Sequence, residues 1–204
     1  MKSCRLCLLA IMFFSALGMA QSPTSSAPEN AMAMITQLGG TFEIDSLRAN
    51  KPVVKVDLHE TSVSDADLEL IKQFKELRHL DLRKTKISDA GVAHFKALTR
   101  LRFLNLFRTQ LSDKGLAQLK KLTGLETLLV GETNITDNGL KHLKSFTRLR
   151  KVSVFDTQIS DRGIEALKKL VSLEVLLIGK SKISEDGAKE LQRALPGLRF
   201  SEQT

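Results

Sequence analysis

Hydroxyl residues recur at Ser64, Ser88, Ser112, Thr136, Ser160 and Ser184, each 24 positions after the last. Glycines 91, 115, 139, 163 and 187 keep the same step, within near-copies reading TKISDAG, TQLSDKG, TNITDNG and TQISDRG. Upstream lies an apolar frame, Leu77-x-x-Leu80-x-Leu82, repeated from Leu101, Leu125, Leu149 and Leu173, with Val53, Val56 and Leu58 filling a divergent first copy. A unit this short cannot bury its own apolar side. Its copies must stack, and the stack itself makes the core.

Within each unit the periodicity changes once. The L-x-L alternation has the two-residue period of a strand with one buried face. After the hydroxyl–acid–glycine segment the apolar residues take a helical step, as in Val92, Phe95 and Leu98, or Leu116, Leu119 and Leu122. Each unit therefore reads as a short strand, a turn and about two turns of helix. The predicted class is α/β: a right-handed solenoid, since parallel crossovers take that hand, with a parallel inner sheet and outer helices. Six repeats and a truncated C-terminal one occupy 53–204. The repeated segment itself reads as fold hardware. Ser or Thr caps the helix, the following Asp suits the helix dipole, and Thr61, Thr85, Thr109, Thr133, Thr157 and Ser181 are expected to satisfy loop amides of adjacent repeats.

The pattern resembles bacterial secreted leucine-rich repeat proteins, specifically the ribonuclease-inhibitor-like branch with helices on the convex side. The likeness spans roughly 53–200. It implies a protein-binding scaffold without catalysis, and it names no partner.

The ends carry different signals. Residues 1–20 have two basic residues, an apolar run too short for the roughly 20 residues of a membrane-spanning helix, and small residues before Gln21, the layout of a signal peptide. The expected destination is export, periplasmic or extracellular. Both cysteines, Cys4 and Cys7, lie in that leader, so the remainder has no thiol for a disulfide or a metal. Polar, proline-bearing 21–30 reads as a flexible linker. Residues 31–52 read as an N-terminal cap: a helix using Ala31, Met34, Ile35 and Leu38, a stop at Gly39-Gly40, and an added strand at 41–45. Pro196-Gly197 ends the last helix, and Leu198 with Phe200 begins a final strand.

Function is sought where copies differ while the frame stays fixed. Strand positions facing away from the core form columns on the concave face, about 4.8 Å from level to level. The lower levels are charged. Above them Phe103, Phe107, Leu129, Phe155, Val175 and Leu177 form an apolar patch of the kind that marks binding sites. Gly131, between Phe107 and Phe155, is read as a gap for a partner's side chain. These seven residues are the candidate contacts for a protein ligand, with self-association as the alternative use of the same face.

Two other classes are weighed. Asp57, Asp81, His59 and His79 are the best candidates for metal or acid–base work, but Lys55, Arg83 and Lys84 share their area, and no metal or cofactor is assigned. Lysines spaced along the outer helices offer a basic convex face to an anionic envelope, the structural alternative. The charge is modest, 31 basic against 23 acidic residues, and with neither Trp nor Tyr base-stacking platforms for nucleic acid are scarce.

Overall fold

The computed structural model describes residues 26–201. The expected signal peptide and the first part of the expected linker lie outside them. Among the described residues no helix is long and apolar enough to cross a membrane.

One eight-stranded sheet runs the length of the molecule in sequence order. Its strands are β1 (Thr41–Ile44), β2 (Val53–Asp57), β3 (His79–Asp81), β4 (Phe103–Asn105), β5 (Thr127–Leu129), β6 (Lys151–Ser153), β7 (Val175–Leu177) and β8 (Arg199–Ser201). From β2 onward every pairing is parallel and in register with the repeat, for example Lys55 with His79 and Leu104 with Leu128. The frame leucines point behind the sheet and are sealed: Leu80, Leu104, Leu128, Val152 and Leu176 are all 0% exposed. Phe95 and Phe146 fill the same layer from the helical side.

The second half of each repeat is tighter than two α-turns. Asp89–Val92 is α-helical, and Ala93–Ala97 continues as 3₁₀ helix. The pattern recurs at Asp113–Gln118 with Leu119–Lys121, and at Asp137–Leu140 with Lys141–Ser145. A 3₁₀ turn rises about 2.0 Å per residue against 1.5 Å, so a 24-residue coil closes with fewer residues on its outer side. Among the described repeats the last one differs, its helix Glu185–Ala194 being α-helical over ten residues.

The N-terminal cap begins earlier than its composition suggests. Helix α1 spans Ala27–Gln37, so 27–30 belong to it rather than to the linker. Pro28 lies in the first turn, where a missing N–H costs nothing, and the Glu29 carboxylate accepts the Ser26 backbone N–H at 2.8 Å. Gly39, at φ +81°, ends the helix. β1 then pairs antiparallel with β2, closing the first edge of the sheet. At the other end β8 pairs parallel with β7, as expected from Leu198 and Phe200.

The hydroxyl–acid–glycine segment is an interlock between neighbouring coils. Ser112 donates its backbone N–H to Asp89 Oδ1 at 2.8 Å and its hydroxyl to Asp89 Oδ2 at 2.5 Å. The same two bonds join Ser88 to Asp65, Thr136 to Asp113, Ser160 to Asp137 and Ser184 to Asp161. The glycine is what admits the carboxylate: a Cβ on Gly91, Gly115, Gly139 or Gly187 would overlap the Asp Oδ1 of the preceding coil, and on Gly163 would lie 2.8 Å from it. The aspartate therefore serves the next coil as well as its own helix. The threonines work differently from expectation. Thr85, Thr109 and Thr157 donate to the carbonyls of Leu82, Leu106 and Val154 in their own coil, each at 2.7 Å, so they close turns rather than bridge repeats.

Candidate binding groove on the open face of the sheet

The face of the sheet turned away from the helices starts as a polar ladder. Asp57, Asp81 and Asn105 stand one above another, and each accepts the backbone N–H two residues on, from His59, Arg83 and Phe107 at 3.0, 3.0 and 3.1 Å. These side chains hold the turn that follows each strand. Asn105 Nδ2 also donates to Asp81 Oδ2 at 3.2 Å, which accounts for Asp81 being only 6% exposed. At the next levels this column becomes Leu129, Ser153 and Leu177.

The residue three places beyond each of strands β2 to β7 is not a strand position. Glu60, Lys84, Arg108, Glu132, Asp156 and Lys180 all adopt φ between 49° and 57°. They form a turn with left-handed backbone, and their side chains pair along the solenoid, Glu60 with Lys84 at 2.6 Å and Arg108 with Glu132 at 3.4 Å.

The seven sequence candidates separate into four groups. Phe107, Leu129 and Leu177 line one groove of about 310 Å³, together with Asn105, Lys151 and Ser153. Phe155 packs against Phe107 beside the groove, with centroids 6.3 Å apart. Phe103 and Val175 lie in the neighbouring column, outside it, and Phe103 stacks on His79 at 3.9 Å and 2°. Gly131 is not a gap. It is buried, and its missing Cβ would lie 2.9 Å from Phe107 Cε2, so the ring covers it. The patch is also less open than the sequence implies, since Leu177 is 3% exposed and the other apolar candidates are half-buried. Strand levels are close enough for neighbouring rings to shield each other.

Ser153 is the residue that sequence reasoning missed. It is 2% exposed, and among the described residues its hydroxyl has no hydrogen-bond partner. Its signal was available: a serine stands between two leucines in a column that otherwise runs from acids to amide to leucine.

The alternative metal or acid–base cluster does not converge. His59 Nδ1 lies 2.6 Å from Asp57 Oδ1, whereas Asp81 is held by Asn105 and by the Arg83 backbone N–H, with the Arg83 side chain 3.7 Å away. Burial against Phe103, helped by the Lys55 charge, pushes the His79 imidazole below its ordinary value. Burial alone would raise the Asp57 carboxyl, but the backbone and side-chain hydrogen bonds from His59, with the His59 and Arg83 charges, together outweigh it and hold the group below its usual range. Among the described residues no three His, Cys, Asp or Glu side chains are arranged to hold a metal ion.

The family description "Leucine Rich repeat" matches residues 76–95 and 147–168. Those two stretches fall on separate levels of one uninterrupted stack. The chain is a leucine-rich repeat solenoid. It is similar to a crystal structure of an internalin from Listeria monocytogenes, with a TM-score of 0.54 and 18% sequence identity, over 85% of this chain and 54% of that one. This leucine-rich repeat chain thus spans about half the length of that internalin, and the likeness is one of fold. No functionally curated protein matches the sequence.

Proposed function

We propose that this leucine-rich repeat protein is an exported, non-catalytic recognition module that binds a protein partner through the groove on the open face of its sheet. One observation carries the reading: a buried, unpartnered Ser153 hydroxyl in a groove walled by Phe107, Leu129 and Leu177. A buried donor left unsatisfied costs roughly 1–3 kcal/mol. The hydroxyl is sealed from solvent, so a partner side chain that enters the groove and shifts the groups over Ser153 would accept from it and remove that cost. Export is supported by the leader sequence, and a non-catalytic role by the separate engagement of the charged residues, Asp57 with His59, Asp81 with Asn105 and His79 with Phe103.

The test uses residues 21–204 as bait against cell-envelope extract, with a Phe107→Ser/Phe155→Ser variant alongside, followed by titration of the purified partner. Wild type captures a partner that the variant loses. Ser153→Ala should weaken the purified complex while raising the thermal midpoint of the free protein, because it deletes an orphaned donor. Undiminished binding by both variants would overturn the reading.

A further inference from the structure

A second surface, separate from this groove, lies where the chain turns from each helix into the next strand. Five arginines line one cleft there: Arg48, Arg78, Arg100, Arg102 and Arg148, with Thr99 and Gly124 completing a volume of about 360 Å³. They arrive from distant parts of the sequence. Arg48 comes from the loop between β1 and β2, and the others precede β3, β4 and β6. The repeat stacks them on one flank.

The charge on this flank is not balanced from within. Glu76 is shared by Arg48 at 2.7 Å and Arg100 at 2.5 Å, and Glu126 lies 3.3 Å from Arg102. Among the described residues Arg78 and Arg148 have no carboxylate partner. Arg48 also lies 3.4 Å from Asp45, so five guanidiniums face three carboxylates. Elsewhere the stack pairs such residues across levels, as with Arg150 and Glu174 at 2.5 Å.

Gly124 opens the cleft. Its level falls between those of Arg100 and Arg148, in the same column of the repeat, and it offers no side chain. A Cβ there would meet only the Thr99 and Leu101 carbonyl oxygens, both at 3.6 Å, which is ordinary contact. The glycine is not required by packing, and what it leaves is a notch with arginines on both sides. Guanidinium groups are planar, permanently charged and suited to bidentate binding of oxyanions.

We infer that this arginine-lined cleft is a binding site for a phosphate or sulfate group, free or carried on a larger molecule. The anion is held by Arg78, Arg100 and Arg148 around the Gly124 notch, and it supplies the charge that Asp45, Glu76 and Glu126 leave uncompensated. The site is independent of the groove around Ser153, and neither requires the other.

The experiment titrates inorganic pyrophosphate and, separately, dextran sulfate into residues 21–204 at low ionic strength. It compares wild type with Arg78→Gln/Arg148→Gln, with Gly124→Glu, and with a Lys120→Gln/Lys121→Gln control on the helical face. Saturable binding of either compound, at least ten-fold weaker in the first two variants and unchanged in the control, supports the site. Binding of pyrophosphate assigns it to a free ion, and binding of dextran sulfate alone assigns it to a group on a polymer. Gly124→Glu places a carboxylate in the notch, so it should also raise the thermal midpoint, which a size-matched Gly124→Gln should not. Binding of neither compound, or equal loss in the lysine control, overturns the inference.

Discussion

Gly115→Ala is the substitution that most directly tests how the coils are joined. In a helix this change is ordinarily favourable by about 1 kcal/mol, and Gly115 lies inside the helix Asp113–Gln118. Here the added methyl would overlap Asp89 Oδ1, so the carboxylate must leave. Its departure breaks the bonds from the Ser112 N–H and hydroxyl. Hydrogen bonds to a charged group contribute about 1.5–3 kcal/mol each, and the lower figure applies because Asp89 and Ser112 are only half-buried. The loss is thus about 3 kcal/mol, offset by about 1 from helix propensity, for a net destabilisation of about 2 kcal/mol. The methyl would also lie 2.5 Å from Leu111 Cδ1, but that contact is common to both backgrounds of a double-mutant cycle and cancels. With Asp89→Ala as the second substitution, urea unfolding followed by circular dichroism should show the penalty of Gly115→Ala much reduced, leaving only the Leu111 contact set against helix propensity. The coupling should be about 3 kcal/mol. An equal penalty in both backgrounds would refute the interlock.

Other outcomes follow from the same geometry. Because the His79 imidazole titrates below its ordinary value, the unfolded chain binds its proton first as pH falls. Stability should therefore decline as pH drops below about 6.5 and level off below the depressed value, and urea midpoints across that range should flatten in His79→Gln. Asp161 is held below the usual carboxylate range by the Ser184 N–H and hydroxyl, so its contribution is present above the ordinary value and lost as pH falls through the lowered one. Asp161→Asn should lower the midpoint at neutral pH and shrink the acid-induced loss. Leu128→Ala, at a fully buried frame position, should cost about 2–5 kcal/mol in the same unfolding assay.

The architecture was legible because the repeat states each instruction several times. Leu80, Leu104, Leu128 and Leu176 could be assigned to the core from spacing alone, and the cap strand was readable from 41–45. What escaped depends on contacts between copies. Nothing local to Gly115 or Asp89 reveals that one holds space for the other, because the partners lie in different coils. The columns named the right face but not its relief, since whether Gly131 is a gap depends on where the Phe107 ring turns. Left-handed backbone at Lys84 and Arg108 was invisible for a similar reason, as those residue types carry no preference for it. The arginine flank was hidden by distance along the chain, Arg48 and Arg148 being far apart in sequence and adjacent to one cleft.

The interlock is also polar, and its first level shows this. Where later coils have glycine, the first has Asp67, and its carboxylate accepts the Ser64 N–H at 2.8 Å and the Ser64 hydroxyl at 2.6 Å. It does for its own coil what an earlier aspartate does for every other. A coil of that kind has no socket left for a neighbour beneath it. Lengthening this protein by inserting a 24-residue unit should therefore succeed between interior levels, where stud and socket are both present. Ahead of the first level, the same unit would require Asp67→Gly before it could seat. At the first joint Asp67 stands in the way together with the cap strand β1, whereas the interior joints carry both halves of the interlock.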